Sequence, residues 1–172
     1  MSRIDVAQEM NVENLNYRPI GTIHTPFKAL EGTPIQPVGG TGVKAEIEIL
    51  AEFVAGLQDL DGFSHIILIY HCHLAQPYRL VVTPFLDDAR RGLFATRAPA
   101  RPNPIGLSVV RLIRVANNIL HIEDVDIVDN TPLLDIKPFV PEFDVRDADR
   151  IGWLGQKTAD VKSKVDDGRF GD

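Results

Sequence analysis

The chain has 172 residues, 44% of them hydrophobic, which suits one globular domain able to bury most of its apolar side chains and leaves no need for a second. Its longest apolar run, Ile66 to Tyr70, falls far short of the roughly 20 residues of a membrane span, and Met1 to Asn16 is charged where a secretory signal needs an apolar core, so a soluble, unexported, cytoplasmic protein is expected. The formal charge of −6 excludes nucleic-acid binding by overall charge and confines any RNA contact to a local basic patch.

Residues 1–16 have no clean period and are expected to form a loose lead-in. Tyr17 to His24 has strand composition, and Pro26 argues against pairing beyond it. Glu31 to Gly42 carries Gly32, Pro34, Pro37, Gly39, Gly40 and Gly42 and reads as a long loop of the kind that carries function. Lys44 to Ile49 alternates apolar and charged residues without fault, as a half-buried strand does. In Glu52 to Leu60 the apolar residues Phe53, Leu57 and Leu60 recur at helical spacing, which predicts a short surface helix before the Asp61-Gly62 turn. Phe63 to His73 predicts a central strand covered on both faces, with a buried helix as the alternative.

Tyr78 to Thr83 predicts another short strand, and the prolines from Pro99 to Pro104 forbid a helix or a central strand there. Ile105 to Val115 and Ile119 to Val128 flank Asn117-Asn118 and read as a hairpin. The apolar phase changes between Leu120, Ile122 and Val125, Ile127, which predicts a bulge near Glu123-Asp124. Asp135 to Phe139 adds a last short pairing, and Asp147 to Leu154 a helix closed by Gly155. Residues 156–172 read as a mostly disordered tail. The sum is a mostly β domain over residues 17–155, a small β-barrel or strongly bent sheet with one or two short helices. No glycine-rich strand-to-helix fingerprint is present, so a doubly wound Rossmann fold is not expected.

Two segments carry chemistry. Gly92 to Arg97, followed by Arg101-Pro102-Asn103-Pro104-Ile105-Gly106-Leu107, presents two arginines and an asparagine on a proline-framed loop, which suits a carboxylate or a polar ring; a stiff surface loop with solvated arginines is the plainer alternative. Glu123 to Pro132, with Asp124, Asp126 and Asp129, suits hard-metal ligation, ribose recognition or the wet end of a strand, and Asp129-Asn130-Thr131-Pro132 alone is ordinary turn chemistry. His71-Cys72-His73 has the look of a metal triplet but lacks a second ligand pair, so no metal is expected, and the lone Cys72 forms no internal disulfide, which fits a reducing compartment. Trp153 is expected to pack the last helix onto the barrel.

Tyr17-Arg18-Pro19-Ile20-Gly21, Gly56-Leu57, Phe63-Ser64-His65, Phe94-Ala95-Thr96-Arg97, Arg101-Pro102-Asn103-Pro104-Ile105-Gly106 and Asp135-Ile136-Lys137-Pro138 together resemble the TsaA/TrmO (YaeB-like) family over about residues 17 to 140. The resemblance implies an S-adenosyl-L-methionine-dependent methyltransferase that modifies the exocyclic amine of threonylcarbamoyladenosine beside the tRNA anticodon, built as a homodimer of unusual β-barrels. It places the cofactor among Ile35, Gln36, Pro37, His73, Leu74, Arg97, Leu107, Asp126, Ile127, Val128, Asp129, Asn130, Thr131 and Pro132. In that site Leu107 suits the adenine, Asp126 or Asp129 the ribose hydroxyls and Arg97 the carboxylate. Arg90, Arg91, Arg101 and Asn103 are then expected to face tRNA. No catalytic residue is singled out. The family's usual Asp-Gly-Thr-Pro is Asp129-Asn130-Thr131-Pro132 here, a change that asparagine's tolerance of left-handed backbone accommodates. Some members have a further C-terminal domain that this chain is expected to lack. Two alternatives share the cofactor: methylation of a small molecule, and non-catalytic S-adenosyl-L-methionine binding.

Overall fold

The structure, a computed structural model, describes residues 15–156, 165–167 and 170. Six antiparallel strands close into a barrel in the order β1 (Gly21–His24), β2 (Lys44–Ile49), β7 (Ile119–Glu123), β6 (Ile105–Ala116), β3 (His65–His71) and β8 (Thr131–Pro138), with β8 returning to β1. A separate two-stranded ribbon pairs β4 (Val81–Val82) with β5 (Arg91–Gly92). The mostly β expectation holds, and no Rossmann sheet is present. Among the described residues no helix is long and apolar enough to cross a membrane.

Alternation builds the barrel. In β2 every second residue, Ala45, Ile47 and Ile49, is buried, while Lys44, Glu46 and Glu48 are exposed. Ile66, Leu68 and Tyr70 of β3 and Val110, Leu120, Ile122 and Leu133 join them in one core. The buried-helix alternative for Phe63 to His73 is excluded. The strand ends at His71, and its outward residues are half-buried or exposed instead of fully covered.

Other elements depart from expectation for local reasons. Ala51–Leu57 and Leu60–Gly62 are 3-10 turns, not an α-helix, and Asp59 between them has a left-handed φ of 65° that interrupts the spiral. The hairpin turns at Asn117, φ 57°, as expected, but the register slips in β6 between Leu112 and Arg114 rather than at Glu123-Asp124. The phase change has a different origin: β7 stops at Glu123 and the chain turns at Asp124, φ 68°, whose Oδ1 accepts the Gly42 N–H at 2.7 Å. Val125 and Ile127 then enter the core from outside the ladder. β8 is longer than the pairing expected over Asp135 to Phe139, because its Pro132 and Pro138 occupy ladder positions without breaking it. The expected helix over Asp147 to Leu154 is absent. A short α1 (Pro141–Asp144) precedes it and a 3-10 turn, Gly152–Gln156, starts at a glycine of φ 59° that an α-helix cannot contain.

The lead-in of residues 1–14 lies outside the described residues. In the segment expected to be a disordered tail, five residues are described, Gln156 at the end of the 3-10 turn and four beyond it that pack back on the body. Val165 bridges to Pro34, and Asp166 exchanges backbone hydrogen bonds with Gly32 and Thr33 at 2.8 and 2.7 Å. Phe170 is buried edge-on against Phe85, ring centroids 5.0 Å apart. It joins Val82, Leu93, Ala98 and Ala100 in a second small core that holds residues 76–104, hereafter the arm, beside the barrel.

Candidate cofactor cleft

β3 and β6 end together where His71 pairs with Ile105, and the chain between them forms the arm. A cleft of about 950 Å³ opens between this barrel mouth, the loop carrying Ile35-Gln36-Pro37, the arm and the C-terminal residues, a size within the range of small-molecule sites. Its floor follows from strand alternation. Tyr70 is the last inward residue of β3, paired with Gly106, and a Cβ at Gly106 would overlap the Tyr70 ring. The glycine thus makes room for the phenol.

The Tyr70 hydroxyl lies 3.0 Å from Ser108 Oγ, and Ser108 donates to Asp126 Oδ1 at 2.7 Å. Because the serine proton points at the carboxylate, the phenol donates to the serine oxygen. Burial pushes the Asp126 carboxyl up to about 6, against the hydrogen bond from Ser108, a backbone N–H and the Arg97 charge. Burial also raises the Tyr70 phenol, which stays protonated, and lifts the Cys72 thiol to about 11, which makes it a poor nucleophile. The His73 imidazole is lowered by burial and by His71, and its Nδ1 lies 3.4 Å from Thr131 Oγ1. Among the described residues no three His, Cys, Asp or Glu side chains are grouped to hold a metal.

Arg97 sits on the rim, its Nη1 donating to Gln36 Oε1 at 2.7 Å, while Gln36 Nε2 donates to the Ile35 carbonyl at 2.6 Å and so fixes the amide. The guanidinium is therefore aimed by a neutral partner and keeps its charge for an anion. Ile35, Gln36, Pro37, His73, Leu74, Arg97, Leu107, Asp126, Ile127, Val128 and Thr131 all line this one cleft, although they come from five separate parts of the chain. Asp129, Asn130 and Pro132 do not line it. Asp129 turns the other way: its carboxylate accepts the Thr25 N–H at 2.9 Å and pairs with Lys28 at 2.6 Å, in a smaller cleft of about 640 Å³ along the outward residues of β2 and β7. Lys28 holds the Asp129 carboxyl below the usual range. Asn130 has a φ of 60° and makes the turn that separates the two aspartates from β8.

The residues expected to face RNA divide as well. Arg90 and Asn103 are exposed. Arg91 is tied to Asp87 at 3.0 and 2.6 Å and lies over the Trp153 ring, 5.6 Å from its centroid. Arg101 directs Nη1 at the carbonyls of Thr96 and Leu93, at 3.1 and 3.4 Å, and so braces the arm. Trp153 packs on the arm, not the barrel, through Nε1 to the Ala95 carbonyl at 2.8 Å.

Tyr70, Phe85, Asp166 and Phe170 line the cleft, with Ser108 buried behind Tyr70 and Asp126, and were not foreseen. For Tyr70 the signal was present, since it continues the inward phase of Ile66 and Leu68 with a polar tip. The residue set fits S-adenosyl-L-methionine: a guanidinium on a neutral partner for its carboxylate, a buried carboxylate for hydroxyls, and Leu107, Ile127 and Val128 as apolar walls for a ring.

The family model of the tRNA-methyltransferase O N-terminal domain matches residues 22–145. A Pyrococcus abyssi protein named "Probable S-adenosyl-L-methionine-binding protein" is 56% identical over 90% of this chain and 84% of its own length. The human tRNA (adenine(37)-N6)-methyltransferase is 34% identical over 81% of this chain, which spans 33% of that protein. A crystal structure of TrmO from Pseudomonas aeruginosa superposes with a TM-score of 0.69 at 37% identity, covering 81% of this chain and 62% of that one. The chain belongs to the TrmO family, through its tRNA-methyltransferase O N-terminal domain.

Proposed function

We propose that the protein binds S-adenosyl-L-methionine in the large cleft and transfers its methyl group to the exocyclic amine of threonylcarbamoyladenosine beside the tRNA anticodon. The observation that carries this reading is the pair Arg97 and Asp126, two charges in an apolar-walled cleft that are each oriented by neutral hydrogen-bond partners. The names of the human and Pyrococcus relatives support it in two parts, the acceptor and the cofactor.

The bound cofactor supplies an electrophilic methyl on a sulfonium. The protein's part is orientation, which can equal roughly 10⁵ M or more of effective concentration. Arg97 holds an anionic end at the rim, Leu107 and Ile127 offer apolar surface to a ring, and Asp126 accepts hydrogen bonds from hydroxyls while its negative charge favours a cationic ligand. The acceptor amine is a weak nucleophile: as the C–N bond forms the methyl–sulfur bond would break, leaving S-adenosyl-L-homocysteine, and the amine's proton would pass to water or to the substrate's own threonyl carboxylate. An acid environment that protonates Asp126 removes the charge that attracts the cofactor.

The outward β6 residues Ile105, Leu107 and Ile113 are exposed and apolar, which supports a homodimer, and a tRNA acceptor agrees with a cytoplasmic protein. Sedimentation tests the first. A second reading, non-catalytic S-adenosyl-L-methionine binding, is favoured by the printed name of the Pyrococcus relative. Mass spectrometry of bulk tRNA nucleosides from cells with and without the gene decides: methylated threonylcarbamoyladenosine lost on deletion and restored by the gene supports the enzyme, and an unchanged nucleoside profile overturns it.

A further inference from the structure

The Leu93–Ala95 turn is held unusually firmly for a surface turn. Leu93 is its anchor, 1% exposed in the small core of the arm. Thr96 returns both its N–H and its hydroxyl to the Leu93 carbonyl, at 3.0 and 2.8 Å. Arg101 reaches the Leu93 and Thr96 carbonyls, and Trp153 donates to Ala95. Phe94, between these anchors, is pushed out and remains 74% exposed at the edge of the cleft. The Arg101 guanidinium lies 5.6 Å from its ring centroid, over one face, and the exposure leaves the other face open.

We propose that the open face of Phe94 is the platform on which the acceptor nucleobase stacks, at the cleft edge shared with Arg97; this rests on the RNA acceptor argued above. A base whose amine is to be modified must leave its own stack, and an aromatic face that replaces part of the lost stacking lowers that cost. A platform fixed beforehand by backbone bonds loses little freedom when the base arrives. The arm's charge selects the same occupant. Gln76 to Pro104 holds five arginines against two aspartates and no lysine or glutamate, in a chain of net charge −6. A flat apolar face with Arg101 behind it and Arg97 at the same cleft edge, on an arginine-rich arm, matches a base on its phosphate backbone, whereas a second copy offering the same arm would set arginine against arginine.

The test uses the full chain and an anticodon stem-loop RNA carrying threonylcarbamoyladenosine 3′ to the anticodon with 2-aminopurine as the neighbouring base, whose fluorescence reports the unstacking of the acceptor, and S-adenosyl-L-methionine binding is followed by calorimetry on the same samples. Phe94→Ala should weaken RNA binding by roughly tenfold or more and abolish the change in 2-aminopurine fluorescence, with cofactor affinity within about twofold of wild type, and Phe94→Trp should restore both RNA signals. The exposed position makes the alanine variant a safe fold, checked by its melting temperature. Unchanged RNA affinity in Phe94→Ala overturns the assignment, as does loss of cofactor affinity, which would move Phe94 into the cofactor site. A dimer that dissociates in sedimentation on Phe94→Ala overturns it in favour of a subunit contact. Wild-type protein that binds the cofactor but no RNA overturns the RNA acceptor itself, and the platform with it.

Discussion

The cleft at the barrel mouth and the smaller one along β2 and β7 each receive an aspartate from one turn, Asp126 in the first and Asp129 in the second. Their surroundings are opposite. Asp126 is buried, meets a serine hydroxyl and is pushed up to about 6, while Asp129 meets the Lys28 ammonium and is held low. In the smaller cleft the polar groups answer each other: Lys28 pairs with Asp129, and His121 Nδ1 lies 3.1 Å from Glu46 Oε1. In the larger one Arg97 and Asp126 are held by neutral groups. A cluster of charged residues becomes a ligand site when its charges are kept in place without being neutralised, and by that measure only the larger cleft is prepared.

The largest expected effect breaks that preparation at the cation. Arg97→Ala should weaken S-adenosyl-L-methionine binding by roughly a hundredfold in calorimetry, because the cofactor's carboxylate at the rim loses its charge-assisted hydrogen bonds. An affinity within threefold of wild type would remove Arg97 from the site.

Next comes the buried anion. The folded-state value of Asp126 lies above its ordinary 3.8, so the folded protein holds the proton more tightly than the unfolded chain. Its contribution is therefore fully present at low pH and declines as pH rises from about 4 to about 6, by roughly 3 kcal/mol over the window. Asp126→Asn should flatten this part of the stability profile in urea unfolding at pH 4.5 and 6.5. Cofactor affinity should run the other way, falling about tenfold per unit below pH 6 in the wild type alone. Identical profiles for the two proteins would count against a titrating Asp126.

Gly106→Ala should cost about 1–3 kcal/mol of stability, since its methyl must displace the Tyr70 ring and with it the Ser108 contact. Chemical denaturation reads this directly, and an unperturbed midpoint would mean that the ring moves aside freely. The smallest effect sharpens the contrast: Lys28→Ala, which removes an exposed ion pair, should shift stability by no more than about 1 kcal/mol and leave cofactor affinity unaltered. A loss of cofactor binding in Lys28→Ala would show that the two clefts are coupled.

Local pattern made several parts of the molecule legible without coordinates. The faultless alternation of Lys44 to Ile49 identifies β2 and its inward face, because a pleated strand half in water can be encoded in no other way. Asn117-Asn118 marks its hairpin through the left-handed backbone that asparagine tolerates, and the motifs Phe94-Ala95-Thr96-Arg97 and Arg101 to Gly106 carry the family. Ile35 and His73 were placed in the cofactor site only through that resemblance, and while Arg97 and Asp126 stood out in their own segments, nothing local joins residues so far apart. What tertiary structure alone decided is where each group points. Asp126 and Asp129 are alike in sequence, and the three-residue offset separates them only because Ile127 and Val128 enter the core between them. Arg91 and Arg101 look like solvated cations until the folded arm brings Asp87 and three backbone carbonyls to them. The closure of the barrel, the burial of Phe170 against Phe85 and the Tyr70–Ser108–Asp126 chain all pair residues distant along the chain. Short-range periodicity encodes which face of an element is buried, whereas the partner of a polar group is set by long-range packing that no local spacing records.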